Sequence, residues 1–178
     1  MGYRLVPLLL LATVAGGCGK EIGDSCTLST DCDPNGTRIC DPDPSSKDGY
    51  CTIQGCDYST CPGEAACIRF FSGSFSSRTC ASTDECVNGR HNVPEDPANP
   101  NYDGTLDELC SVGGYCVSRS SEVRFCMRKC GSDDDCRDGY ECRGLQKMKD
   151  HGGEPVLAPG LLVDDKAPKF CAMAPVTP

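Results

Sequence analysis

The cysteine content constrains this chain more than any other property of its sequence. The 178 residues include 17 cysteines, and sixteen of them lie between Cys26 and Cys171. An even set at this density is typical of a disulfide-rich fold formed in an oxidising compartment. The odd cysteine then needs a separate role, and Cys18 stands apart near the N-terminus.

The sixteen cysteines divide into two sets of eight with related spacing. From the fourth cysteine of each set onward, the gaps are 4, 4, 5 and 12 residues in the first set and 3, 5, 5 and 28 in the second. The first set is Cys26, Cys32, Cys40, Cys51, Cys56, Cys61, Cys67 and Cys80, and the second is Cys86, Cys110, Cys116, Cys126, Cys130, Cys136, Cys142 and Cys171. We therefore predict a tandem duplication, with all sixteen in disulfides and four bridges in each copy. The pairing itself is not readable from the sequence.

This accounting predicts a small disulfide-rich fold with two tandem eight-cysteine modules. The modules span residues 26–80 and 86–171, and the second carries long loops at 87–109 and 143–170. We expect short β-hairpins and irregular loops with little helix, followed by a tail at 172–178. Leu, Ile, Val and Phe make up about 15% of residues 18–178, which is too little for an ordinary hydrophobic core. Disulfides offset that deficit by restricting the unfolded chain.

Two hairpins are predicted from alternating apolar residues that flank turn residues. The first joins Ile68–Phe71 to Ser76–Cys80. The second joins Tyr115–Ser118 to Val123–Met127 through the four residues between them.

The N-terminus has the pattern of an export signal that is removed from the mature protein. Arg4 supplies a positive charge, Leu5–Val14 is a short apolar run, and small residues at positions 15–17 precede Cys18. That run is too short to span a bilayer. Small residues directly before a cysteine resemble a bacterial lipoprotein box, although Ala15 stands where such boxes usually carry leucine. We predict a signal peptide at 1–17, a lipid on Cys18 and a tether at 18–25; the alternative is ordinary signal cleavage near Gly17.

The whole chain resembles the small Cys-rich lipoproteins of myxobacteria, in its Gly-Gly-Cys box, its Asp/Gly/Pro-rich body and its even number of remaining cysteines. That resemblance implies a lipid-anchored protein. In enteric bacteria, aspartate directly after the lipidated cysteine retains a lipoprotein at the inner membrane. Because Gly19 occupies that place here, the likeness to enteric lipoproteins implies the cell outer membrane. Some lipoproteins of the myxobacterial kind belong to the contact-dependent gliding-motility machinery. The implied partners are the membrane, through the Cys18 lipid, and other envelope proteins. The alternative function is a secreted or surface ligand-binding or inhibitor module.

The charge balance argues against a nucleic-acid partner. The chain has a formal net charge of −9, whereas binding to a phosphate backbone depends on clustered lysine and arginine.

Metal and cofactor sites are not predicted with any strength. Zinc is disfavoured because no Cys-x2-Cys pair occurs and only His91 and His151 are available. A weak calcium candidate places oxygen side chains at alternate positions of one loop; its residues are Asn99, Asn101, Asp103 and Asp107. A weaker one begins at Asp31, Asp33 and Asn35. The alternative for both is a series of turns.

No catalytic constellation is visible, so we predict a protein that is not an enzyme, with no cofactor and no catalytic residue. Both histidines are expected to be surface residues without partners. Two apolar features leave their role open. Phe70, Phe71 and Phe75 form either a local core or an exposed contact patch, and Val156–Val163 either folds back over the second module or presents a docking surface.

Overall fold

The computed structural model describes residues 19–42, 48–72, 78–86 and 108–175. Short strands joined by turns dominate these residues. The strands are β1 (Ser25–Cys26), β2 (Ile39–Asp41), β3 (Gly49–Thr52), β4 (Ala65–Phe71), β5 (Glu108–Cys110), β6 (Cys116–Ser118), β7 (Glu122–Arg128), β8 (Tyr140–Arg143), β9 (Glu154–Pro155) and β10 (Phe170–Met173). The helices are α1 (Ser29–Cys32) and α2 (Leu145–His151), with 3₁₀ turns at Thr83–Cys86, Arg119–Ser121 and Asp133–Asp135. The prediction of a small disulfide-rich fold with little helix is confirmed.

Among the described residues all strand pairs are antiparallel, and they form four small sheets. The strand orders are β1-β3-β2, β7-β4-β9, β5-β6 and β8-β10. The longest pairing joins β4 to β7 over seven residues, and the short strand β9 covers part of the other edge of β4. Both β4 and β7 contribute residues, among them Ile68 and Cys126, to the main hydrophobic cluster described below.

All sixteen cysteines from Cys26 to Cys171 are paired, and their eight bonds fall into four groups that we call bridge units. In each unit the first cysteine bonds the third and the second bonds the fourth. The bonds are Cys26–Cys40 and Cys32–Cys51 in the first unit, Cys56–Cys67 and Cys61–Cys126 in the second, Cys80–Cys110 and Cys86–Cys116 in the third, and Cys130–Cys142 and Cys136–Cys171 in the fourth.

Each unit has the same local geometry. Its third and fourth cysteines are directly opposite each other on a strand pair, as Cys40 and Cys51 are on β2 and β3. The equivalent partners in the other units are Cys67 and Cys126, Cys110 and Cys116, and Cys142 and Cys171. Residues opposite each other on a strand pair project from the same face. Two neighbouring bonds therefore clamp each strand pair onto the turn that carries the unit's first two cysteines.

Side chains next to the second cysteine close that turn. In the first unit, Asp31 accepts hydrogen bonds from the N–H groups of the two residues after Cys26, at 2.8 and 2.9 Å. In the fourth unit, Asp135 makes the equivalent bonds at 2.7 and 3.0 Å. In the second unit, four residues instead of five separate the first two cysteines. Here the Thr60 hydroxyl accepts a single hydrogen bond, from the N–H of the residue after Cys56. An aspartate or threonine here satisfies N–H groups that a helical turn leaves unpaired.

The prediction of four bridges within each eight-cysteine module is wrong. Cys61–Cys126 and Cys80–Cys110 both join residues 26–80 to residues 86–171. The third unit lies within the segment between Cys67 and Cys126, so it is nested inside the second unit. Nesting is possible because the ends of the inserted segment meet, with the N–H of Ser72 donating to the carbonyl of Ser121 at 2.9 Å.

The predicted hairpins have the wrong partners. Ile68–Phe71 lies in β4, which pairs with β7 and, at Ile68 and Arg69, with β9. Of the predicted partner Ser76–Cys80, residues 76–77 lie outside the described residues, and Thr79 forms an isolated bridge with Tyr115. The strands predicted at Tyr115–Ser118 and Val123–Met127 do form, but β6 pairs with β5 and β7 pairs with β4. A 3₁₀ turn between them redirects the chain, and the disulfides select the nonlocal partners.

One hydrophobic cluster connects residues of both predicted modules. Ile22, Ile68, Cys126, Met148 and Phe170 are each at most 1% exposed within it. A second, smaller cluster consists of the cysteines of the first bridge unit. In the part of the chain that the structure describes, no helix has the length and apolar character needed to cross a membrane.

Candidate contact surface

Cys18 and the signal peptide lie outside the described residues, which begin at Gly19. Every cysteine from Cys26 to Cys171 is bonded to another member of that set. None of them is therefore left to pair with Cys18.

The predicted tether at 18–25 packs against the body along most of its described part. Ile22 is fully buried in the main cluster, and the N–H of Gly23 donates to the carbonyl of Cys51 at 2.9 Å. The carboxylates of Glu21 and Asp24 lie 3.5 and 3.6 Å from the Arg128 guanidinium. A group attached at position 18 would thus be held close to the folded body.

The calcium candidate at Asn99, Asn101, Asp103 and Asp107 also lies outside the described residues. In the weaker candidate the carboxylates serve local structure. Asp31 caps the turn of the first bridge unit, and Asp33 accepts from the N–H groups of Asn35 and Thr37 at 2.9 and 3.0 Å. Hydrogen bonds from main-chain N–H groups lower the pKa of the Asp31 carboxyl. The pKa of the Asp33 carboxyl is lowered mainly by a hydrogen bond from the Thr37 hydroxyl and further by the N–H of Asn35.

Cysteine triplets are the sets of potential ligands that lie close enough to share a metal ion, among the residues that the structure describes. Each triplet comes from one bridge unit, and its three sulfur atoms lie within 4.8 Å of one another. All of these sulfurs are in disulfides, whereas the metal ligand is a thiolate. The triplets therefore reflect the close stacking of the two bonds in each unit.

A groove of about 420 Å³ lies between β4, the third bridge unit and the C-terminal end of α2. Its apolar lining includes Phe70, Phe71, Val112, Tyr115 and Met148. This volume falls in the range of small-molecule pockets, which are mostly apolar with a few polar groups.

The lining also includes a buried carboxylate, that of Glu154, which is 2% exposed. One carboxylate oxygen accepts from Arg69 Nε at 2.7 Å, and the other accepts from the N–H of Val112. A buried carboxylate is stable only with such partners. Glu154 therefore connects β4, β9 and the third bridge unit, and its partners satisfy both oxygens.

His151 lies at the rim of the groove and, contrary to expectation, has a partner. Its Nδ1 is 2.6 Å from Glu141 Oε1, which also accepts from Arg143 Nε at 3.0 Å. Burial opposes ionisation of Glu141, but the hydrogen bonds from His151 and Arg143 outweigh it, so the pKa of this carboxyl is lowered. His91 lies outside the described residues.

The buried Arg143 guanidinium fixes the end of α2. It donates to the carbonyls of His151 and Gly152 at 2.8 and 2.9 Å and to that of Met173 at 2.6 Å. The carbonyls at a helix end are left without partners inside the helix. Arg143 thus holds the C-terminal end of α2, whose residues line the groove, against β10.

The phenylalanine cluster is divided between core and groove. Phe70 packs edge-on against Phe170, with ring centroids 6.1 Å apart, and belongs to the main cluster. Phe71 lines the groove, with the Arg69 guanidinium 5.8 Å from its ring centroid. Phe75 lies outside the described residues.

The apolar stretch at Val156–Val163 also has two parts. Val156 and Val163 pack against the main cluster, so both ends fold back over the body. Of the three leucines between them, Leu157 is partly buried, whereas Leu161 is 64% and Leu162 87% exposed. We call residues 159–162 the apolar tip; its two adjacent exposed leucines make it a candidate contact surface.

No known protein family, curated protein sequence or solved structure matches this chain. The function must therefore be inferred from the geometry itself, which offers a groove for a small ligand and a tip for a protein or another apolar surface. Sequence reasoning missed Glu154, Glu141 and Arg143. Their signal was weak, because isolated charged residues in a loop-rich sequence usually lie in solvent.

Proposed function

We propose that this chain is a non-enzymatic outer-membrane lipoprotein that acts through protein contacts in a cell-envelope assembly. The observation that carries the proposal is the complete pairing of the sixteen cysteines after Cys18. An unpaired cysteine in an exported chain needs a role of its own. The small residues before Cys18 supply one, namely lipid attachment.

The packing of the N-terminal segment supports an anchored body. Because Ile22 is buried and Gly23 is bonded to Cys51, few residues separate Cys18 from the fold. A lipid at this position holds the protein against the membrane surface and leaves the bridge units to face other envelope proteins. Eight disulfides make such a surface rigid, which lowers the entropy that binding costs.

The apolar tip is the proposed contact region. Adjacent leucines that are mostly exposed carry an unfavourable hydration free energy, which burial against a partner removes. The resemblance to myxobacterial lipoproteins suggests that the assembly is the surface gliding machinery.

The lipid anchor is tested by a Cys18→Ser variant in the organism that makes the protein. We expect the wild-type chain in the outer-membrane fraction and the variant to be lost from it. Gly17→Ala is the control, because it keeps a small residue before the cysteine. Equal recovery of wild type and Cys18→Ser in the outer membrane would contradict the anchor.

The contact role is tested by cross-linking in intact cells. Wild type should give cross-linked species with envelope proteins, and a Leu161→Asp/Leu162→Asp double variant should lose them. Leu28→Asp is the control, since Leu28 is 63% exposed in the first bridge unit, away from the tip in sequence. Recovery of wild type only as a free monomer would count against the proposal.

The groove beside Glu154 favours a second candidate function, a secreted or surface module that binds a small apolar ligand. An unlipidated soluble form outside the cell would favour this candidate over the first.

A further inference from the structure

We propose that the third bridge unit is a redox-active site in which an external dithiol opens Cys80–Cys110 and an internal exchange then releases Cys116. The unit combines an accessible bond, a buried neighbouring bond and a cation beside one buried sulfur. These features occur together at residues 78–86 and 108–116.

Cys80–Cys110 is the entry point. Both of its cysteines are partly exposed, whereas each of the other seven bonds contains at least one buried cysteine. A disulfide is cleaved by a thiolate that must reach one of its sulfur atoms. A dithiol in solution can therefore approach this bond from either cysteine, whereas four of the other bonds have one partly exposed cysteine and three have none.

The second bond of the unit, Cys86–Cys116, is fully buried at both cysteines. The sulfurs of Cys80, Cys86 and Cys110 all lie within 4.8 Å of one another. A thiolate freed from Cys80 or Cys110 is thus next to Cys86 without any large movement of the chain.

Arg78 selects the sulfur that leaves. Its Nε donates to Cys116 Sγ at 3.3 Å, and its guanidinium also contacts the Cys86 carbonyl and the Glu108 carboxylate. When Cys86 is attacked, negative charge develops on Cys116. A hydrogen bond from a guanidinium to a thiolate is stronger than one to a neutral sulfur, so Arg78 favours departure of Cys116.

The steps balance as two-electron chemistry. One thiolate of the dithiol attacks Cys80 or Cys110 and forms a mixed disulfide, and the second thiol displaces the protein sulfur and closes the reagent's own disulfide. The dithiol is oxidised, and Cys80 and Cys110 are both reduced. One of them then attacks Cys86 as the thiolate, forms a new bond to it and expels the Cys116 thiolate, with no further change in oxidation state. The products are one isomeric disulfide and two free thiols, one of them at Cys116.

The test is limited reduction of the folded full chain with dithiothreitol. The reaction is stopped with acid, which protonates thiolates, and the thiols are labelled with N-ethylmaleimide in acidic denaturant before peptide mass analysis. We expect the first labelled cysteines to be Cys116 together with Cys80 or Cys110. First labelling in another bridge unit would overturn the proposal, and so would labelling of Cys80 and Cys110 without Cys116.

An Arg78→Gln variant separates the entry step from the exchange. The labelled share of Cys116 should fall about tenfold, the scale expected for one charge-assisted hydrogen bond to the leaving group. Arg119→Gln is the matched control, because Arg119 is an exposed arginine just after β6. An unchanged Cys116 share in a folded Arg78→Gln protein would overturn the role of Arg78.

If the Arg78→Gln protein does not form all eight disulfides, as judged by its intact mass, Glu108→Gln provides the second variant. This variant retains Arg78 but removes the negative charge of the Glu108 carboxylate beside the Arg78 guanidinium. The guanidinium should then stabilise the Cys116 thiolate more strongly, so the labelled share of Cys116 should rise. A fall in that share, or no change, would contradict the proposal.

Discussion

Cys67 and Cys126 lie directly opposite each other on β4 and β7, yet each is bonded to a different cysteine. Cys67 is bonded to Cys56, 11 residues away, and Cys126 is bonded to Cys61, 65 residues away. The two bonds clamp this strand pair onto a single turn. The same arrangement recurs in all four bridge units. These disulfides stabilise a fold whose sequence has too few large apolar residues for an ordinary hydrophobic core.

The Cys61–Cys126 bond, whose loop contains the third bridge unit, should contribute more to the free energy of unfolding than the Cys56–Cys67 bond beside it. In the chain-entropy account, stabilisation grows with the loop that a bond closes. The bonds of the third unit shorten the loop that Cys61–Cys126 closes, but it remains the longer of the two. The free energy of unfolding should therefore fall by about 4 kcal/mol in Cys61→Ala/Cys126→Ala and by about 3 kcal/mol in Cys56→Ala/Cys67→Ala. Denaturant unfolding without reductant measures both. A larger loss from the shorter loop would contradict this order.

Acid should weaken the caps of the bridge-unit turns. Main-chain N–H groups hold the pKa of Asp31 and Asp135 below the ordinary value of 3.8. A carboxyl with a lowered folded-state pKa stabilises the protein above its unfolded-state pKa, and this stability is lost as pH falls through the folded-state value.

Asp31→Asn/Asp135→Asn should therefore lower the denaturant midpoint at neutral pH and flatten its decline below pH 3.8. Asp138→Asn, which changes an exposed aspartate in the turn after Cys136, is the control. An equally steep acid decline in the double variant would show that these caps do not carry the effect.

Gly153 is required by both its backbone and its surroundings. Its φ is +77°, and a Cβ there would lie 2.7 Å from Phe70 Cε1 and 2.9 Å from Phe170 Cζ. Gly153→Ala should destabilise the fold by about 1–3 kcal/mol through overpacking alone, with backbone strain in addition.

Gly160→Ala is the matched control for thermal or denaturant unfolding. Gly160 has a similar φ of +85°, but a Cβ added there would have no other atom within 4 Å. It should show only the backbone contribution. Equal losses for the two variants would refute the packing argument.

Tyr50 should titrate at unusually high pH. The ring is 4% exposed and stacks on Tyr140 at 5.2 Å. Burial raises the pKa of the Tyr50 phenol to about 12. A raised folded-state pKa gives stability that is complete below the unfolded-state value and is lost as pH rises through the folded-state value.

Tyr50→Phe should remove the phenol that ionises near pH 12 from an ultraviolet titration. At neutral pH the variant should lose about 1–2 kcal/mol, because the N–H of Arg128 no longer donates to the Tyr50 hydroxyl. Tyr58→Phe, at a half-exposed ring, is the control. Ionisation of Tyr50 with the exposed phenols would contradict its burial.

The sequence was sufficient to predict the fold class, the presence of every cysteine after Cys18 in a disulfide, and the strands that became β6 and β7. It did not predict strand partners, because the disulfides join residues far apart in the chain. Comparison of two halves also concealed a shorter repeat. Three of the four units begin with Cys-x5-Cys and an acidic residue directly before the second cysteine, which is the pattern of the capped turn.

The buried charged groups at the C-terminal end of α2 were not predictable in the same way. Glu141 and Arg143 flank Cys142 in a short polar segment, and their burial depends on strand β10 and helix α2 meeting there. The apolar tip was easier to recognise in the sequence, because Val156–Val163 is the most apolar stretch after the predicted signal peptide. Its division into buried ends and exposed leucines follows from the packing of Val156 and Val163.

The decisive measurement is a peptide mass map of the membrane-derived protein, prepared without reductant and with free thiols blocked. We expect eight linked pairs, each within one bridge unit in the order first-to-third and second-to-fourth. We also expect an N-terminal peptide that begins with a lipid-bearing Cys18. A bond between two different bridge units, or Cys18 in a disulfide, would contradict the proposed architecture.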